Sequence, residues 1–307
     1  MVSLTRRRSH KPHGGDPCDL PGCDQVPLDR RRYPEDLSER RDRYPLDGNT
    51  PPIHSIALGQ PLRWLSLGWH DLWRAPAALL HGLLVTAVGL IIMAVTWEQA
   101  WLSFTALSGF LLAGPILAVG VNRLAQRLEH DERIHLSLGL DLRGETWVPV
   151  LLFAALLAVV FAIWSTFVWL WIGVITVGDA AILGTLPEML GAMLGTTAGL
   201  ISLLGTVVAG AVLALVVFTL SMVTLPAMLD RRIGLIDAMA ISLNAFFHNR
   251  VPALFWAALI TVLFGISVLT GLLALVVIFP WLGFAMWHAY RDLVEHPEAE
   301  SREGSAG

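Results

Sequence analysis

The chain has 307 residues, 55% of them hydrophobic and only 15% charged, with a mean hydropathy of +0.61 and a formal net charge of -4. A soluble domain carries about 25% charged residues, and residues 75–290 hold too few to clothe a water-facing surface around a core of that length. The composition excludes an ordinary soluble globule and points to an all-α, polytopic transmembrane helical bundle.

Residues 1–60 are rich in Pro, Arg and Asp and show almost no apolar periodicity. Such sequence buries too little surface to offset ordering entropy, so it reads as a disordered cytoplasmic tail. Of the 21 basic residues, ten lie before residue 50, but in "LDRRRYPEDLSERRDRYPLD" they alternate with acids. That mixture argues against a nucleic-acid arm. Cys18 and Cys23 have four residues between them and no second ligand pair, so neither a disulfide framework nor a metal site is read there. The first apolar run starts near Ala75, too late for a signal peptide and long enough to stay in a bilayer.

A spanning helix needs roughly 20 apolar residues. That length gives spans near 76–96, 101–121, 148–174, 199–229, 252–269 and 272–290. The last two are nearly continuous, and Thr270-Gly271 is the natural turn between them. The reading is six helices in three hairpins over residues 61–293, followed by a disordered C-terminal tail at 294–307.

Arginine placement tests that count independently. Arg63 and Arg74 precede the first span. Arg123, Arg127, Arg133 and Arg143 fall between the second and third. Arg231, Arg232 and Arg250 fall between the fourth and fifth, and Arg291 and Arg302 follow the sixth. The opposite connections ("TWEQAW", 175–198 and "LTG") hold no basic residue. Both termini are therefore expected in the cytoplasm. Tryptophan fits an interfacial belt: Trp64, Trp69, Trp73, Trp147 and Trp256 at the inner boundary, and Trp97, Trp101, Trp169 and Trp171 at the outer one. Trp164 and Trp281 lie deeper and are expected to face neighbouring helices.

Two distant stretches begin alike, "WRAPAALLHGLLVT" from Trp73 and "HNRVPALFWAALIT" from His248. Each follows a short amphipathic segment suited to the membrane interface. Leu62, Leu65, Trp69 and Leu72 form the apolar side of the first, and Ile233, Ile236, Ala240, Leu243 and Phe247 that of the last. A weaker third copy runs from Ser137-Leu138 to Pro149. Pro76, Pro149 and Pro252 suit the first turn of a helix. Pro115, Pro226 and Pro280 fall inside the return helices, where they are expected to kink them and free a carbonyl. The pattern reads as a threefold internal repeat. In the outer loop, "TLPEMLGAML" carries a capping box, Thr185 with Glu188, and Pro187 in the first turn, which predicts a short helix.

No Asp, Glu, Lys or Arg falls within the six spans, which argues against an ion-coupled carrier, a proton pump or a voltage sensor. Of four boundary histidines, His70, His81, His248 and His288, only His81 lies well inside the apolar zone, with His288 about one turn from the membrane exit. If the bundle joined His81 to His288, the pair could ligate haem; otherwise they are ordinary interfacial side chains. No hydrolytic triad, phosphate loop or dinucleotide fingerprint is present, so no catalytic residue and no cofactor is assigned.

Four stretches in order, "WLSLGWHDLWRAP", "GFLLAGPILAVGVNRLAQRLE", "TLPAMLDRRIGLIDAMAISLNAF" and "FPWLGFAMWHAYRDL", give the chain a family likeness. Over residues 60–293 it resembles the bacterial six-helix integral membrane proteins grouped as domain of unknown function 2189. The resemblance implies an inner-membrane location and carries over no activity or catalytic residue. The leading expectation is a non-enzymatic membrane helper, scaffold or passive pathway, whose partners are the lipid bilayer and a membrane protein or second copy. The alternatives are a haem- or quinone-associated respiratory accessory, and a small-solute or lipid transporter working through the kinked helices.

Overall fold

A computed structural model describes residues 51–129, 147–175 and 184–294, and these are helical apart from short connections. In chain order the helices are α1 (Gln60–Arg74), α2 (Ala78–Thr96), α3 (Ala100–Leu112), α4 (Gly114–Leu117), α5 (Val119–Glu129) and α6 (Trp147–Ile175). They continue as α7 (Leu186–Gly195), α8 (Thr197–Ser221), α9 (Thr224–Arg231), α10 (Leu235–His248), α11 (Arg250–Leu269) and α12 (Leu275–Leu293). Among the described residues there is no β-strand, only an isolated antiparallel bridge between Ile53 and Val294. The amphipathic stretch at Ser137-Leu138, Cys18, Cys23 and both distal tails lie outside the described residues.

Helix α2, helix α6, the run Thr197–Arg231 and helix α11 are each long and apolar enough to cross a membrane. The other two expected spans look different. Residues 101–121 are divided, because helix α3 ends at Leu112 and the backbone is interrupted again at Ala118. Residues 272–290 fall mostly in α12, where a proline, two tryptophans, a histidine and the terminal Arg291-Asp292 dilute the apolar character.

The prolines of the return helices explain part of this. The run Thr197–Arg231 has 35 residues; as one helix it would reach about 52 Å, beyond the roughly 30 Å hydrocarbon core. It breaks at Met222-Val223. There the buried Ser242 of α10 enters the helical ladder: its hydroxyl donates to the Thr219 carbonyl at 2.8 Å and accepts from the Val223 amide at 3.4 Å. Those two backbone groups would otherwise bond each other, four residues apart. Pro226 thus falls in the first turn of α9, and Pro115 in the first turn of α4, where proline costs little. Pro280 instead sits inside a continuous helix. It leaves the Val276 carbonyl without its helical donor. Gly82 of α2 lies so close to that oxygen that a Cβ would overlap it. The glycine hydrogen in that place points at the carbonyl, a weak Cα–H···O contact.

Helix α12 is the centre of the packing, with α1, α2, α5, α9 and α11 against it. Close approach is made by glycines: a Cβ at Gly68 of α1 would meet the Ala285 backbone at 2.7 Å, and one at Gly283 would meet Val121 of α5 at 2.6 Å. Trp64 and Trp256 are fully buried, edge to face at 5.6 Å. Placing those two in an interfacial belt is therefore corrected, because helix packing captures both rings. Trp69, Trp73, Trp97 and Trp147 remain exposed.

The turn between α11 and α12 falls where expected. Gly271 adopts φ 63°, a left-handed conformation that glycine reaches without strain. Leu272 follows at φ 69° and is held there by burial against Val85, Phe110 and Leu275. In the connection before α8, α7 is capped as predicted, with the Thr185 amide and hydroxyl donating to Glu188 at 2.7 and 2.9 Å. Met189 and Met193 of α7 pack on Ala100, whose amide donates to the Gly184 carbonyl at 3.1 Å.

The held part of the chain begins before residue 60, earlier than the tail boundary read from composition. Buried Asn249 donates to the His54 carbonyl and accepts from the Ile56 amide, both at 2.9 Å. The His54 amide donates to the Leu293 carbonyl at 3.0 Å. Asn249 reads this extended segment as a neighbouring strand would.

Candidate functional site

Six residues near the end of α12, Trp287 to Asp292, wrap around the helix and present a polar group to nearly every neighbour. Trp287 donates to Glu129 of α5 at 2.8 Å. His288 Nε2 meets Asp71 of α1 at 2.7 Å, and the other oxygen of Asp71 lies 3.5 Å from Arg74. The Tyr290 hydroxyl donates to Asp230 at 2.7 Å and accepts from Arg231 Nε at 3.1 Å. Arg291 pairs with Glu129 at 2.7 Å and lies 3.9 Å from Asp230. Asp292 accepts from Gln60 at 2.5 Å and from the Trp64 indole at 2.7 Å. Six residues before Trp287, the Trp281 indole donates to the Leu65 carbonyl at 2.7 Å.

These contacts join α1, α5, α9 and α12 at the ends that carry arginine. Charge-assisted bonds of this kind are about twice as strong as neutral ones, and several share one acceptor, so the cluster works as a clamp. Sequence reading singled out only His288 from it. Asp71, Glu129, Asp230 and Asp292 were missed, and Arg291 was read only as a marker of the inner face, although a dense polar run closing an otherwise apolar helix was the visible signal.

His288 and His81 are not brought together. His81 is 4% exposed on α2, and its Nδ1 has no hydrogen-bond partner. The adjacent Gly82 packs at Val276 and Pro280, eight residues or about 12 Å along α12 from His288, which Asp71 engages. His248 lies elsewhere, 2.8 Å from Ser55 beside a cleft of about 450 Å³ lined by Pro51, Pro52, Ile53, Asn244, Phe247 and itself. At the far end Glu188 is fully exposed, and the bonds from the Thr185 amide and hydroxyl hold its carboxyl below the usual glutamate range.

The two amphipathic helices bury different residues from those expected. In α1, Leu65 and Leu72 face the bundle with Trp64 and Gly68, while Leu62, Trp69 and Trp73 are exposed. In α10, Ala238, Ile241, Ala245 and Phe246 are buried, and Ile236, Leu243 and Phe247 are exposed. The bare apolar triplets share one spacing, seven residues and then four. Both helices also place polar exposed residues about 100° further round: Arg63, His70 and Arg74 in α1, Asp237, Asn244 and His248 in α10.

Residues 102–230 match the family model of a predicted integral membrane protein, DUF2189. The DUF2189 match runs from α3 to the end of α9. It contains the stretch "GFLLAGPILAVGVNRLAQRLE" and the start of "TLPAMLDRRIGLIDAMAISLNAF", and leaves the first and last resembling stretches outside. No curated protein and no solved structure matches the chain significantly.

Proposed function

We propose that the protein is a non-enzymatic scaffold of an inner membrane, with six helices in three hairpins and both termini on the cytoplasmic side. The observation that carries this reading is the clamp. Its charged and polar side chains bond to one another across four helices, an arrangement that fixes helix ends rather than presenting groups to a substrate. Arginines of the clamp cluster at one end of the bundle, which supports a single cytoplasmic face under the positive-inside rule. Matching lipid-side and water-side strips on α1 and α10 support an internal repeat relating the first hairpin to the last.

The second reading, a haem-associated accessory, draws on the buried, unpartnered Nδ1 of His81. The optical spectrum of protein purified in mild detergent separates the two. The scaffold reading expects no Soret band. A Soret band that disappears in His81→Ala would overturn it in favour of the accessory.

A further inference from the structure

The exposed triplets of α1 and α10 share one spacing but differ in the charges beside them. Beside Leu62, Trp69 and Trp73 stand Arg63 and Arg74, both exposed. Arg63 has no acidic partner among the described residues, and Arg74 reaches only Asp71, at 3.5 Å, a carboxylate already bound by His288. Trp69 is fixed edge to face against Trp73 at 5.5 Å and Trp281 at 5.1 Å, which holds the aromatic strip rigid. The corresponding positions of α10 carry Asp237 and His248 in place of the arginines, and Arg250 of α11 lies 5.3 Å over the Phe247 ring, so this face carries one cation beside one carboxylate.

We infer that the exposed face of α1 is a docking surface for anionic phospholipid headgroups of the inner leaflet, and that the face of α10 is not. The occupant follows from continuity and charge. Helix α1 passes through Ala75-Pro76-Ala77 directly into spanning α2, so its bare triplet continues the lipid-facing surface formed by Leu80, Leu83 and Leu84. Apolar side chains enter the acyl boundary while the guanidinium groups of Arg63, without an acidic partner, and Arg74, paired with Asp71 at 3.5 Å, sit at headgroup level, where an anionic surface attracts them. The inference rests on the spanning reading given above.

The test uses the full-length chain with Cys18→Ser and Cys23→Ser, reconstituted in nanodiscs of phosphatidylcholine alone or mixed with phosphatidylglycerol. Spin labels are placed singly at Leu62→Cys, Leu243→Cys and Val159→Cys, and read by collision with oxygen and with a neutral nickel chelate. Adding phosphatidylglycerol is expected to move the Leu62 label deeper, leave the Leu243 label unmoved, and lose its effect in Arg63→Gln/Arg74→Gln. An identical Leu62 depth in both lipids, an equal shift at Leu243, or spin–spin broadening at Leu62 from a second copy would overturn the proposal. The label at Val159, exposed midway along α6, reports separately on spanning: accessibility to the chelate there would remove the spanning reading itself.

Discussion

Helices α8 and α12 are both return helices, yet they meet their surroundings in opposite ways. Ten of the 19 residues of α12 are buried, including Trp287, Tyr290 and Phe284. Five of the 25 in α8 are buried, and each of these is a glycine, serine or threonine. The more apolar helix is thus the less enclosed one. In lipid an exposed leucine costs nothing, so association depends on close packing and polar contacts instead of apolar burial. Hydropathy therefore marks where the bilayer touches, while glycines and the clamp mark where helices touch.

The comparison can be broken most severely at the centre. Trp64→Ala should cost about 3–5 kcal/mol, the usual range for a buried tryptophan, because it empties the contact with Trp256 and removes a donor from Asp292. Leu204→Ala, on the exposed face of α8, should stay within about 0.5 kcal/mol. Thermal unfolding of both variants in the same detergent measures the contrast, and equal losses would erase it. Gly82→Val should cost at least about 1–3 kcal/mol by overpacking against the Val276 carbonyl. Gly114→Ala, with open space around it, should be nearly silent in the same assay.

Ser242→Ala sharpens the picture of α8 and α9. Losing the inserted hydroxyl leaves the Thr219 carbonyl and Val223 amide unpaired, at about 1–3 kcal/mol, unless the two helices join across the break. Hydrogen exchange at Val223 reads this: faster exchange with lower stability is expected, and stronger protection would mean that the helices join once the hydroxyl is gone, so that the serine alone holds the break open. The smallest effect is at Glu188. Its folded pKa is depressed, so its contribution to the α7 cap is present above the ordinary glutamate value of about 4.3 and is lost as pH falls through the lower folded value. Exchange of the Thr185 amide should accelerate below that range and stay flat in Glu188→Gln.

Much of the framework was legible. Four spans, the Thr270-Gly271 turn and the capped α7 follow from length, glycine and a capping box, all local signals. The divided returns were only half legible. Pro115 and Pro226 announced trouble, but the hydroxyl that opens the second helix comes from Ser242, and no periodicity in α8 names it. The amphipathic stripes were read as one face each, whereas Leu65 and Leu72 pack inward and Leu62 and Trp69 stay bare, because the bundle takes one flank of the stripe and leaves the other. The clamp was least visible: Asp71 with His288, or Trp64 with Asp292, are joined over more than 200 residues by the packing of α1 on α12.

The central claim is that lipid surrounds most of this chain and that the clamp lies on the arginine-rich, cytoplasmic side. Reporter fusions test it directly. Reporters after Glu98 and Glu188 should behave as extracytoplasmic, and reporters after Glu129 and Val294 as cytoplasmic. A cytoplasmic signal after Glu98 or Glu188, or a chain that stays soluble without detergent, would contradict it.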